Sequence, residues 1–354
     1  MEAAFASFFL APRGLRPGLG GGSPPSRAAR LVLLWEWFRI YFESGVGKLL
    51  SGDPEWRHLT AMDHYYEYGP LPTWIGWWAQ HLPHGFHAAT AFFVLAFECV
   101  LVFLAFLPRP FRLAAFVLSS LMQVGIEATA NYTFLNLLVL FLGFLLLEDR
   151  DFRRAPPEEP RLAPSRFGTG FAGVALGLQL YATFLLFPLV PAGLLPSPLL
   201  LPVVALEPFR VAGRYGLFAV MTSTREEIEF QGSSDGTTWV AYPFRFKPQA
   251  LDRAPGIYAP YHPRFEWNLW FASLGTWEGS PWVETTEERL LAGAPDVLRL
   301  FAHNPFAPSP PAFVRAVIAR YSFTTVAEYR KTGRYWRREG ERLYAPVLKA
   351  ISEG

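Results

Sequence analysis

Five apolar stretches are crowded into residues 31–190 of this 354-residue chain, and they constrain its fold more than any other feature. They run over 31–50, 86–107, 111–128, 132–147 and 168–190. A helix needs about 20 apolar residues to cross the hydrocarbon core of a bilayer. The fourth stretch contains FLNLLVLFLGFLLL, which has no charge, and the fifth contains FAGVALGLQLYATFLLF, with Gln and Thr as polar guests. The second and third carry one acid each, Glu98 and Glu127, whereas the first carries Glu36, Arg39, Glu43 and Lys48. One such run suits the buried helix of a soluble protein. Five in succession predict a polytopic α-helical membrane bundle of about five spanning helices.

The positions of arginine test that reading independently. Arg13, Arg16, Arg27 and Arg30 precede the first stretch, Arg109 and Arg112 separate the second from the third, and Arg150, Arg153, Arg154, Arg161 and Arg166 separate the fourth from the fifth. The alternate connections are poor in Lys and Arg: 129–131 has none and 51–85 has only Arg57. Positive charge collects on the cytoplasmic side. The amino end is therefore expected in the cytoplasm, and five spans carry the carboxyl end outside. The opening MEAAFASFFLAP lacks the basic start of a secretory signal. It reads as the remnant of an upstream helix within a cytoplasmic segment 1–30.

Composition excludes several classes. With 51% hydrophobic and 18% charged residues the chain is too apolar for disorder, and a net charge of +2 gives no basic surplus for nucleic acid. Cys99 is the single cysteine, so an intramolecular disulfide or a CxxC redox pair is impossible. It lies in an apolar run and reads as a buried structural thiol.

The character changes near residue 207. Residues 1–206 hold 14 basic and 14 acidic side chains, against 18 and 16 in the shorter remainder. Strands are predicted over RYGLFAVMT (214–222), EEIEFQG (226–232), TTWVAYPFRF (237–246) and FVRAVIARYSF (313–323). Asp235-Gly236 supplies a hairpin turn between the second and third of these. Helices are predicted over 265–274, from Thr285 to His303, and over 325–332. The division that follows is 1–30, a transmembrane domain 31–190, a linker 191–206, and a soluble α+β domain with an antiparallel β-sheet over 207–354.

Candidate chemistry concentrates in two places. In the first stretch, Glu36 and Arg39 are spaced i,i+3 and Arg39 and Glu43 i,i+4, so they neighbour one another on a helix. Intramembrane charges face a bundle interior or a cavity and carry partners. Gly45 and Gly47 leave room for close backbone approach. Lys48 either reaches the interface or serves as a buried base, with Glu98 and Glu127 as its nearest candidate partners. The second place is 51–87, which holds five of the seven histidines (His58, His64, His81, His84 and His87) and four tryptophans. No metal-ligand motif organises them, so no metal and no cofactor are assigned. The aromatic residues read as an interfacial belt on the outer leaflet. Asn131-Tyr132-Thr133 matches a glycosylation sequon squeezed between two spans, where a buried structural Asn suits the position better. Tyr132 and Asn136 are grouped with it as structural residues.

Several strings together make the chain similar to the lipase maturation factor family of polytopic membrane proteins. They are FRIYFESGVGKLLSGDPEWRHLTAMDHYYEYGPLP, NYTFLNLL, RYGLFAVMTSTREEIEFQGSSDGTTWVAYPFRFKP, PRFEWNLWFASLG, HNPF, VRAVIARYSFTT and GRYWRRE, in order over about 10–345. Ala130 departs from the Gly expected before the Asn-Tyr pair, and the family's upstream spans are expected to be missing. The resemblance implies a chaperone-like, non-enzymatic factor for the maturation of secreted clients of lipase type, with membrane lipid as its other partner and no nucleic acid. The Arg-rich, Cys-poor composition looks bacterial, which would put the chain in the inner membrane with its C-terminal domain in the periplasm. Trp239, Tyr242, Phe244, Trp267 and Trp270 are the candidate client-binding residues.

Two rival readings belong to other classes. YFESGVGKL also looks like the membrane region of vitamin K-dependent gamma-carboxylases, which implies an integral-membrane enzyme acting on a quinone or lipid with Lys48 as general base. IEFQGSSDGTTW resembles a hairpin of jelly-roll sugar-binding domains, which implies a carbohydrate-binding module.

Overall fold

A computed structural model describes residues 1–12, 25–132, 134–152, 166–190, 193 and 195–350. It divides into two compact units that interleave along the chain. Unit 1 comprises Met1–Thr60, Ala89–Val124 and Asn136–Met221, and unit 2 comprises Ala61–Ala88, Gly125–Leu135 and Thr222–Gly354.

The helices in chain order are α1 (Glu2–Leu10), α2 (Arg27–Leu50), α3 (Pro54–Arg57), α4 (Ala61–Tyr68), α5 (Trp74–Gln80), α6 (His84–Cys99), α7 (Arg109–Thr129), α8 (Phe134–Gly143), α9 (Arg166–Leu185), α10 (Ser197–Leu206), α11 (Arg264–Ser273), α12 (Pro281–Leu291), α13 (Pro295–Leu298) and α14 (Val326–Thr332). In unit 1, Ser26 caps α2 by accepting from the Ala29 amide, and the helix then runs for 24 residues. Its Gly45 lets α6 come close, because a Cβ there would lie 2.7 Å from the Glu98 Cβ and 2.8 Å from the Cys99 sulfur.

Among the described residues, two helices are long and apolar enough to cross a membrane, Arg109–Thr129 and Gly168–Leu185. Only 22% and 28% of their most apolar windows are buried, unlike the core helix of a soluble fold. The other three expected spans differ for identifiable reasons. The helix over 31–50 is long enough but charged. The 86–107 run breaks at Val100 and continues as a 3-10 turn over Leu101–Phe106. The 132–147 run forms ten α-helical residues and a 3-10 turn, Phe144–Leu146. Helix length and composition thus leave the count of five unestablished. Arg13, Arg16, Arg153, Arg154, Arg161 and Thr133 lie outside the described residues.

Unit 2 is built on an antiparallel sheet of β1 (Arg225–Ser233), β2 (Val240–Ala241), β3 (Phe313–Phe323), β4 (Trp336–Leu343) and β5 (Leu348–Lys349). The order is β2-β1-β3-β4, with β5 also on β3. β1 and β3 pair without interruption from Arg225↔Tyr321 to Ser233↔Phe313. Side chains alternate across a strand, so Ile228, Phe230, Val314, Ala316 and Ile318 share one face. There they pack with Leu269 and Ala272 of α11 and with Val283 and Leu290 of α12. A second cluster gathers Ala319, Tyr321, Phe323 and Trp336 around Trp77 of α5.

Two predicted strands changed. Residues 214–222 form no strand, because side chains of unit 1 take their backbone groups. The 237–246 strand shrinks to Val240–Ala241: Pro243 has no amide to donate, and the Arg245, Phe246 and Lys247 amides turn to the Glu266 carboxylate. The predicted strand over 313–323 forms with those bounds. Helix α14 carries a complete capping box, Thr325 with Glu328.

Two carboxyls of unit 2 are buried without charged partners sufficient to hold them ionised. Burial pushes Glu287 up to about 8, against the Ala316 amide, and Glu67 up to about 7, against the Phe323 amide and Arg225. Both groups hold a proton in the folded chain above 4.5, where the unfolded chain has released it. Linkage therefore makes their contribution complete below pH 4.5 and lost as pH rises through 7 to 8. The thermal midpoint of the detergent-solubilised chain should fall between pH 5 and 8.5, and Glu287→Gln should flatten that slope. A slope unchanged in the variant counts against this assignment.

Candidate functional site

The four charges of the first apolar stretch, joined by Ser44, form a docking face on α2. Arg39 and Glu43 are spaced i,i+4, as are Ser44 and Lys48, so two neighbouring pairs follow each other about half way round the helix. Arg39 donates through Nε to Glu43 Oε1 at 2.6 Å, through Nη1 to Glu2 Oε2 at 3.2 Å, and through Nη2 to the Gly213 carbonyl. Glu43 Oε2 accepts from the Tyr215 amide at 2.7 Å. Ser44 Oγ accepts from the Leu217 amide at 3.3 Å and donates to the Ile40 carbonyl. The Tyr215 hydroxyl lies 3.1 Å from Glu2 Oε2 and 3.4 Å from Glu36 Oε1. Glu36 Oε2 is buried without a hydrogen-bond partner.

Lys48 closes the row. Its ammonium donates to Glu98 Oε1 and Oε2 at 3.1 and 2.8 Å and to the Leu217 carbonyl at 2.9 Å. It also lies 5.1 Å from the Trp56 ring centroid. Those bonds take all three ammonium donors. Beyond α2, the Trp56 indole donates to the Phe218 carbonyl at 2.8 Å, and Asp53 Oδ2 accepts from the Met221 amide at 2.6 Å. Residues 213–221 thus form a strap whose backbone is paired to polar side chains instead of to a neighbouring strand. The Lys48 ammonium is thereby committed to Glu98 and to the strap carbonyl of Leu217. Glu127, the other partner considered for Lys48, belongs to unit 2, and its Oε1 is buried without a hydrogen-bond partner.

Unit 2 has its own buried polar assembly. Asn131 is fully buried; its Nδ2 donates to Leu71 O at 3.1 Å and Gly256 O at 3.0 Å, and its Oδ1 accepts from the Tyr258 and Ala259 amides. Tyr132 packs edge-on against Trp267. Arg225, which the sequence did not single out, donates to the carbonyls of Glu67, Gly69 and Pro70 and pairs with Glu227 at 2.5 Å. Glu227 in turn meets the Lys247 ammonium at 2.8 Å. The only sequence signal for Arg225 is a basic residue opening an acid-rich strand. Asn136 belongs to unit 1, where it donates to Gln123, which donates to the Tyr41 hydroxyl.

The five aromatic residues expected to face a client are mostly covered. Tyr242 and Phe244 belong to the sheet core. Trp270 is buried with its indole donating to Tyr68 O at 3.0 Å. Trp239 and Trp267 are half-buried, Trp239 beneath the Arg315 guanidinium at 4.1 Å. The histidines disperse into local pairings: His84 and His87 both meet Asp63, and His81 lies between the Trp77 and Thr324 carbonyls. Among the described residues, no three His, Cys, Asp or Glu side chains are grouped to hold a metal ion.

The architecture is a helical half with two membrane-length helices among its described residues, followed by a domain with an antiparallel sheet. Residues 1–154 match the lipase maturation factor transmembrane domain, and residues 211–346 match the lipase maturation factor C-terminal domain. Lipase maturation factor 1 of Homo sapiens is 32% identical, an alignment that takes in 98% of this chain and 65% of that protein. Lipase maturation factor 2 of Rattus norvegicus is 28% identical with the same shares, and lipase maturation factor 1 of Bos taurus is 30% identical over 98% and 66%. The chain belongs to the lipase maturation factor family, and it spans about 65% of the length of these curated relatives. No solved structure matches it.

Breaking a buried ion pair costs about 3–5 kcal/mol, whereas replacing both partners by apolar groups is often neutral. Lys48→Ala should therefore reduce the yield and thermal midpoint of the detergent-extracted chain, and Lys48→Met with Glu98→Leu should recover much of the loss. Asn131→Ala strands buried amides and carbonyls at about 1–3 kcal/mol for a group left unsatisfied. It should lower the midpoint without altering extraction from the membrane.

Proposed function

We propose that this chain is a multi-pass membrane factor that assists the maturation of secreted client polypeptides, lipase-like ones among them. The observation that carries the reading is the match of both family domains, in order, over most of the chain. In this reading all five apolar segments of 31–190 cross the bilayer. The charges of α2 do not oppose that, since Arg39, Glu43 and Lys48 are ion-paired within unit 1 and Glu36 is buried there.

The pairing of the connections supports the proposed orientation. Arg109 bonds Asp151 and Arg112 bonds Glu148, which joins the two Arg-bearing connections to each other. The two connections poor in Lys and Arg, within 61–88 and 125–135, belong to one unit with 222–354. Alternation of this kind fits an amino end in the cytoplasm and a C-terminal domain, 207–354, on the extracytoplasmic side. Clients then meet unit 2 on the side where secreted proteins fold, through the half-exposed Trp239 and Trp267 and not through the core aromatics.

The test is a secreted lipase produced in cells from which this protein has been deleted, with and without the full chain restored. Active lipase per unit of lipase protein should rise several-fold on restoration. An unchanged ratio, with the chain present in the membrane fraction, counts against the role.

A further inference from the structure

Helix α5 has the sequence WIGWWAQ, and its three tryptophans do not share one environment. Trp77 is fully buried in the second core cluster of unit 2, its indole donating to the Tyr335 carbonyl at 3.2 Å. Trp74 and Trp78, one turn apart, are 46% and 47% exposed. Beyond the end of α5 at Gln80, Leu82 in the turn and Phe86 in α6 are 42% and 48% exposed. The sheet domain thus fixes the helix by one indole and turns the other two outward.

The start of α5 is bonded to the end of an apolar helix long enough to cross a membrane. The Thr73 amide donates to Thr129 O at 3.2 Å and the Thr73 hydroxyl to Ala128 O at 2.6 Å, at the last turn of α7. Gly76 packs against the same Thr129 carbonyl, where no Cβ fits. The end of a span is where the hydrocarbon gives way to headgroups. Residues 68–97 contain no Asp, Glu, Lys or Arg, and the carboxylate that lies against this segment, Asp63, is held by His84 and His87. Downstream, the chain runs directly into α6 and the apolar stretch 86–107.

We propose that Trp74 and Trp78, with the exposed Leu82 that follows them, rest in the headgroup–acyl boundary of a lipid bilayer, making α5 an interfacial anchor. Tryptophan suits that depth because its ring is apolar while its N–H remains near water. This inference rests on the membrane reading above. It adds a lipid contact made by unit 2 itself, outside the spanning helices.

The experiment uses the full chain with Cys99→Ser, reconstituted into phosphatidylcholine–phosphatidylglycerol nanodiscs. Single cysteines replace Trp74, Trp78 or Leu82 and carry a spin label. Phe141→Cys on α8 serves as a lipid control, and Thr237→Cys in the exposed β1–β2 turn serves as a water control. Collision rates with oxygen and with a water-soluble nickel chelate report depth. Labels at 74, 78 and 82 should show several-fold less nickel access than 237 and more than 141. If they match 237 while 141 stays shielded, the anchor is wrong and the membrane reading stands. If 141 matches 237 as well, both fail. Leu82 lies outside α5 and keeps the test informative should either tryptophan variant fail to fold.

Discussion

A guanidinium and an ammonium on the same helix, both withdrawn from solvent, set the terms for the rest of unit 1. Charges held in apolar surroundings are tolerated only when their partners are complete. Arg39 and Lys48 find theirs in Glu43, Glu2 and Glu98 and in two backbone carbonyls of the strap. The dependence is mutual. Without α2 the amides of Tyr215 and Leu217 lose their acceptors, and without the strap the cations lose carbonyls. The polar groups of the first apolar stretch therefore serve a segment about 170 residues away in sequence.

That arrangement also accounts for the boundary between the family's two domains. The C-terminal family domain begins at 211, yet its first residues, to Met221, belong to unit 1 with the helices. Glu43, Ser44 and Asp53 of the same unit receive the amides of Tyr215, Leu217 and Met221. Residues 213–221 fold with unit 1, where Gly213, Tyr215, Leu217, Phe218 and Met221 each pair a backbone group with a side chain.

Much of the sheet domain was legible in the sequence because its signals are local. The alternation in FVRAVIARYSF reproduces β3, and the Ser-Asp-Gly turn sits where β1 ends. The helix predicted over 325–332 forms as Val326–Thr332. What escaped was decided at long range. RYGLFAVMT has the composition of a strand, but its backbone pairs with side chains of α2, of Asp53 and of Trp56, which no local pattern reveals. The strand β4, WRREGERL, is too charged to read as one; Arg338 and Arg342 pair across the sheet with Glu229 and Glu226, and Arg337 pairs with Glu328 of α14. At the candidate site, i,i+3 and i,i+4 spacing made the α2 cluster visible and Glu98 was among the partners proposed for Lys48. The backbone acceptors were not, because carbonyls leave no trace in a residue pattern.

The threading of the two units bears on how the chain is made. Unit 2 draws on 61–88, on 125–135 and on everything after 221, and Trp77 reaches its full surroundings only when Phe323 and Trp336 exist. A ribosome finishes the earlier pieces long before the later ones. During that interval Asn131, Trp77 and the carbonyls of 67–70 stand without the groups that will cover them. Contacts so distant in sequence form slowly and leave apolar surface open meanwhile. A protein of a family named for maturing others thus has a prolonged immaturity of its own, set by the order of its segments.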